Sequence, residues 1–524
     1  MAKLSGSGAE SMDKLKDYLS DPWQKSSLHK TYKGSFLHLT PSPEVTTGEI
    51  LLASLYRNVG FVDNKAVGET VWELGTPFKK QLATGRRPNS AQSEVAFDTQ
   101  LWNTVVNRVI ATPNLSGQSR QRGNQISPLV PDATLYSMSA RLRGHPWNPG
   151  KLVARMVALG SDDYDAALAI WQKLFYKLSV TSEEDDVWAR MLQSEFESWR
   201  VDKISDAWKM PNEFPQDEGT FPSPLNLDCP AKRFVEDLHV VLDLKQDLTR
   251  RQWVSMLESL CRIGTAAHVT WCCHANNKCC ELIEEALSLG KCHSEDEVAE
   301  KLSTGKGFWS LGQLTAKPIK EAARHYIEGR GALNLLLHML EQAGFDMSQV
   351  SLGSTAEIAE TLDYLAQHRG KFDFSQYLNN FNQMIESDPK VAECKKGSSK
   401  NVLEFLEHVA RQRITSEAGL DGYDQGYYME KRGNHSNSPR VVGLGPLSTL
   451  LMVHCAASRV TGPCTVQNLC QQLAGYGISA EMALGKGESL NKRLRDMSIA
   501  IDSPDAEGGM VIASPLAKAG KEGN

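Results

Sequence analysis

Residues 446–513 read PLSTLLMVHCAASRVTGPCTVQNLCQQLAGYGISAEMALGKGESLNKRLRDMSIAIDSPDAEGGMVIA, and the spacing of their apolar positions predicts three helices followed by two strands around a polar loop. Pro446 suits the first turn of a helix, where its missing N–H costs little, and the helix runs from Leu447 to about Ser458. A turn follows at Thr461, Gly462 and Pro463. Thr465 stands where an N-cap oxygen is wanted, and Val466, Leu469, Cys470 and Leu473 recur at the three-and-four spacing of a buried helical face. Gly475 and Gly477 punctuate the next turn. The third helix ends in Ser489 to Met497, with Leu490, Leu494 and Met497 inward and Asn491, Lys492, Arg493 and Arg495 outward. Ser498 to Ile501 and Met510 to Ala513 then read as short strands flanking Asp502 to Gly509.

This order, over residues 440–516, resembles the winged helix-turn-helix fold. The resemblance implies a third helix that enters a DNA major groove and a hairpin that touches the backbone nearby, with Asn491, Lys492, Arg493 and Arg495 as the contacts. The loop Ser503 to Gly509 is acidic and repels phosphate, and docking on protein is the other use of such a module. Phosphate affinity scales with the cations presented, and this helix presents few.

Working outward, 524 residues exceed one ordinary core, so a mainly α, multi-domain helical protein is expected. Its parts are a loop-rich basic region at 1–148, a helical segment at 149–210, a helical domain at 231–415 and the C-terminal module at 440–516. Hydrophobic and charged fractions of 41% and 23% fit a soluble globular protein. No apolar run approaches the ~18 residues needed to cross a bilayer, and the first residues hold no secretory core, so no membrane partner and a cytoplasmic location are expected. Eleven cysteines, an odd number unevenly placed, read as reduced thiols.

Charge is uneven. Lys79 to Arg155 carries eleven Lys/Arg against three Asp/Glu, whereas Thr181 to Asp247 runs to about -9. Arg86, Arg87, Arg120, Arg122, Arg141 and Arg143 fall in loops too polar to pack a core, and form a second candidate nucleic-acid surface. Residues 1–45 look like a poorly patterned lead-in. Amphipathic spacing predicts helices over 50–59, 152–159, 165–178, 231–244, 250–263, 266–289, 295–302, 319–328, 333–343, 355–367, 377–385 and 402–413. Five prolines between Met210 and Pro230 mark a boundary, and Leu420 to Pro439 reads as a connector.

Two constellations invite chemistry. Cys272, Cys273, His274, Cys279 and Cys280 are soft ligands close in sequence, but adjacent residues on a helix point about 100° apart and do not reach one ion easily. Small buried hydrophobes are the favoured role for these cysteines. Asp237, Asp243 and Lys245 have the carboxylate and lysine order of a divergent metal-dependent nuclease, yet the flanking apolar residues fit a helix better than the strand such a site needs. Neither a phosphate-binding glycine motif nor a nucleotide-binding one occurs, and no cofactor is expected.

The expected function is a non-enzymatic, DNA-associated subunit of a multi-protein bacterial nucleic-acid-processing or anti-phage and anti-plasmid defence system. Its partners would be DNA and an ATPase, helicase or nuclease encoded separately. The nuclease, or a helical protein-docking scaffold, is the alternative.

Overall fold

The computed structural model describes residues 14–23, 27–39, 45–61, 97–110, 112, 126–136, 148–198, 208–215, 221–222, 225–304, 307–415, 420, 422–433, 435, 438–480, 483, 489–501 and 510–516. Of these, 64% are helical and 5% are strand, so the protein is mainly α. The principal helices are α1 (Gly48–Val59), α2 (Pro149–Gly160), α3 (Tyr164–Leu178), α4 (Val187–Glu197), α5 (Pro230–Asp243), α6 (Arg250–Leu289), α7 (Glu295–Leu302) and α8 (Ala316–Gln342). They continue as α9 (Thr355–His368), α10 (Phe374–Ser387), α11 (Gly397–Ala410), α12 (Pro446–Ala457), α13 (Val466–Ala474) and α14 (Ser489–Asp496).

The organising element is α6. Its 40 residues open on a Thr249–Gln252 capping box and close at Gly290, whose φ of 67° is the left-handed conformation of a helix stop. Through its middle every residue from Ser259 to Cys273 is buried, so this helix is enclosed on all sides rather than amphipathic. Helices α1, α5, α8, α9, α11 and α12 all pack on it. Gly264, Ala266, Ala267, Cys272, Cys273 and Ala275 are small enough to let so many neighbours approach.

The spacing predicts breaks at Gly264 and between Glu328 and Leu333, but α6 and α8 are continuous there. The reason is packing. A Cβ on Gly264 would stand 2.4 Å from the Phe234 ring, and one on Gly329 would stand 2.7 Å from the backbone nitrogen of Asn277. These glycines are crossing points between helices rather than punctuation. Gly329→Ala is therefore expected to cost about 1–3 kcal/mol in urea unfolding. Gly370→Ala meets nothing within 4 Å and serves as the near-neutral control.

The lead-in also differs from expectation. Residues 27–39 pack into the body, where the Tyr32 hydroxyl donates to Asn276 Oδ1 (2.8 Å), Asn276 Nδ2 donates to the Leu37 carbonyl (3.0 Å) and the His29 N–H donates to Asn334 Oδ1 (2.8 Å). Such polar anchors leave no periodic trace in a sequence. Across the proline-rich stretch, α2 and α5 lie face to face, with Gly160 close against the Ala231 carbonyl.

Seven short strands form three small sheets among the described residues. In the C-terminal part, β4 (Cys464–Thr465), β6 (Ala500–Ile501) and β7 (Val511–Ile512) form an antiparallel sheet in the order β4–β7–β6. Thr465 pairs with Val511, and Val511 with Ile501. The β6 and β7 strands fall where spacing puts them, while β4, before the Thr465 cap, is an addition. The connector expected at 420–439 instead contributes β2 (Met429–Lys431), half of an antiparallel pair with β3 (Arg440–Val442). A third pair, β1 (Trp309–Ser310) with β5 (Ile478–Ser479), runs parallel and ties the C-terminal part to the body.

Candidate nucleic-acid interface

In α14, Leu490 and Leu494 are buried and the helix is anchored on that stripe, as the spacing predicts. Lys492 and Arg495 are exposed. Three of the four expected contact residues make contacts within the protein. Asn491 is buried and its Oδ1 accepts from Arg495 Nε at 2.9 Å, while Arg493 pairs with Glu430 of β2 at 3.3 Å. The acidic loop 502–509 lies outside the described residues, as do Arg86, Arg87, Arg120, Arg122, Arg141 and Arg143.

The β2–β3 pair adds cations, of which Lys431 and Arg432 fall in the stretch 420–439 that reads as a connector. Lys431 stands directly opposite Arg440, a like-charge pairing that disfavours the hairpin on its own. Arg411, bridged to Met429 of β2, is held down to about 10 by burial and by the nearby Arg440 charge. Arg432 follows Lys431 and is exposed. The signal available in sequence was the run Lys431-Arg432 answered by Arg440, with polar residues between.

A buried carboxylate adds to the hold of this part of the chain on the body. Asp237 on α5 is fully buried and accepts from Arg459 Nη2 (2.5 Å), Gln472 Nε2 (2.5 Å) and the Tyr476 hydroxyl (2.6 Å). Burial raises its carboxyl against the pull of Arg459 and Tyr476. Arg459 also pairs with Glu236. One carboxylate thus gathers the end of α12, α13 and the turn after it.

The three residues considered for nuclease chemistry do not converge. Asp243 ends α5 with its side chain 67% exposed, paired with Lys173 at 2.8 Å. Lys245 is buried and donates to Asp185 (3.1 Å) and the Ser179 carbonyl (3.0 Å). Asp185 also takes Arg250 at 2.9 Å; burial would raise its carboxyl, but Arg250 and Lys245 outweigh that and hold it low. The stretch 230–243 is helix, so the strand geometry that would align these groups is missing.

The cysteines likewise serve packing. Cys272, Cys273, Cys279 and Cys280 are buried in α6, and burial pushes Cys272 and Cys279 up to about 12, against the thiolate a metal requires. Their contacts diverge: Cys272 Sγ lies 3.6 Å from His268 Nε2, and Cys280 Sγ 3.3 Å from Glu284. His274 stacks on Phe308 with ring centroids 4.8 Å apart and meets His325 Nδ1 at 3.2 Å. No helix among the described residues is long and apolar enough to cross a membrane.

Comparison with protein-family models, with curated proteins and with solved structures finds no match to this chain.

Proposed function

We propose that the chain is a DNA-contacting subunit without catalytic chemistry of its own, and that its C-terminal part is a winged helix. The observation that carries this reading is the exposure of Lys492 and Arg495 on a helix whose opposite stripe is buried. The β4–β7–β6 order supports the fold assignment, because the strand between the first two helices pairs with the last strand of the hairpin. Lys431, Arg432 and Arg440 add positive charge on the hairpin that Glu430 links to α14. Chemistry on the nucleic acid would come from a partner protein such as an ATPase, helicase or nuclease.

The test is binding of the full chain to duplex DNA over a series of salt concentrations. Each lost phosphate contact lowers the salt slope by about one, so Lys492→Ala with Arg495→Ala is expected to lower it by about two and to weaken binding at low salt. Both side chains are exposed, so the variant should keep the wild-type circular dichroism. Affinity and slope unchanged in the folded double variant would reassign α14 to protein docking.

A further inference from the structure

Three side chains far from the C-terminal part meet in one place. His338 and Glu341 are one turn apart on α8, and His29 reaches them from the segment that packs against that helix. One donor atom from each lies within 4.8 Å of the others. His29 Nε2 is 3.5 Å from Glu341 Oε2, and the two imidazoles meet edge-on with ring centroids 5.1 Å apart.

The hydrogen bonds around this group leave it incomplete. His338 Nε2 lies 3.0 Å from the Ser27 carbonyl and must donate to it, so its proton is on Nε2 and Nδ1 carries a bare lone pair. That Nδ1 is buried and has no hydrogen-bond partner among the described residues. His29 accepts the Thr31 N–H on Nδ1 at 3.2 Å, and its buried Nε2 makes only the long 3.5 Å contact with Glu341 Oε2 among the described residues. The two residues are only 3% and 6% exposed, away from bulk solvent. Buried polar atoms are nearly always paired, and an unpaired imidazole nitrogen beside a long imidazole–carboxylate contact leaves room for an ion to complete the group.

We propose that His29, His338 and Glu341 bind a divalent transition-metal ion of the zinc class. Two imidazole nitrogens and a carboxylate are a donor set that zinc accepts, with a fourth position left for water. A tetrahedral ion at about 2.0–2.1 Å from each donor separates the donors by about 3.4 Å, which the His29–Glu341 pair already meets within 0.1 Å of its 3.5 Å spacing. Rotation of the His338 ring or of the carboxylate closes the rest. His338 is oriented as metal-bound histidines usually are, with its other nitrogen donating to a backbone carbonyl.

At His29 the ion replaces the proton on Nε2. That proton moves to Nδ1, so the ring stays neutral and the hydrogen bond from Thr31 is given up. Lys14 sits 3.7 Å from Glu341 Oε1, which leaves Oε2 for the ion. The ion would fasten residues 27–39 to α8 across some 300 positions of sequence, the separation of the His29–Asn334 hydrogen bond being 305. The cysteines of α6 are not part of this group.

The experiment uses the full chain, stripped with chelator and titrated with Co2+ and then Zn2+. The expected result is one Co2+ per chain with visible absorption of a nitrogen and oxygen ligand field, displaced by Zn2+, and a higher unfolding temperature with either ion. Glu341→Gln, at a partly exposed site, and His338→Ala are each expected to weaken binding by at least about 100-fold, more than loss of an outer-shell contact does. Circular dichroism of the Glu341→Gln variant separates lost ligation from lost fold. Three results would overturn the site: no ion retained by the wild type, thiolate charge-transfer absorption that places Co2+ on cysteine, or affinity unchanged in folded Glu341→Gln.

Discussion

Arg413→Ala is expected to lower the stability of the protein by about 3–5 kcal/mol, read as a shift in the urea midpoint. Arg413 lies with its side chain 8% exposed among three carboxylates, pairing with Glu49, with Glu258 at 2.6 Å and with Asp424 at 3.1 Å. Arg262 supplies the second cation of this cluster among the described residues, 2.8 Å from Asp424 and 3.6 Å from Glu258. Removing Arg413 leaves Glu49 and Glu258 in a protein interior with little compensation, and an uncompensated buried charge is the costly case. Arg413→Lys should recover less than half of the loss, since an ammonium does not serve three carboxylates as a guanidinium does.

The same variant should shift the acid limb of the stability curve. Burial alone would raise Asp424, but Arg262 and Arg413 outweigh it and hold the carboxyl far below the usual range. Its stabilising share is therefore complete above the unfolded value of about 3.9 and is lost as the pH falls through the folded value. With Arg413 gone the folded value moves up toward the unfolded one, and this share shrinks. Wild-type and variant curves that run parallel below pH ~4 would contradict the assignment.

The second large effect concerns Asp237. Arg459→Ala leaves that carboxylate buried with hydroxyl and amide donors alone, and about 3 kcal/mol or more of destabilisation is expected. The loss should appear first as proteolytic cleavage in the exposed turn at Thr461, Gly462 and Pro463, because the latch at Asp237 holds the surrounding helices. Asp237→Asn keeps acceptor and shape and should cost less, about 1–2 kcal/mol. If Asp237 instead held a catalytic metal, Asp237→Asn would abolish magnesium-dependent DNA cleavage by the wild type while leaving the turn protected.

Helices were legible where one side faces water. Glu295–Leu302 and Tyr164–Leu178 announce themselves by cap and spacing, as do the three helices after Pro446, whereas the two-residue strands Cys464–Thr465 and Ile478–Ser479 between them are too short to leave a pattern. Enclosed helices were not: with no polar face in the middle of α6, Gly264 was the strongest local mark, and it marks a contact with Phe234. The site residues divide similarly. Lys492 and Arg495 are outward by spacing alone, but nothing local to Arg493 reveals Glu430, 63 positions away. His29, His338 and Glu341 carry no motif, since the ligand that completes the set comes from another part of the chain.

The bonds from the N-terminal segment to α8 also constrain when this protein can fold. Tyr18 donates to the Gly331 carbonyl 313 positions later, at 2.9 Å, and His29 to Asn334 after 305. At 5–20 residues per second, those partners leave the ribosome about 15–60 s after the residues that await them. During the first part of that interval α1, buried on nearly every side in the finished protein, still lacks α6, one of the helices that packs on it. The nascent chain must carry a partly uncovered apolar helix until α6 is made, which makes it a client for holding chaperones and makes slow translation a hazard.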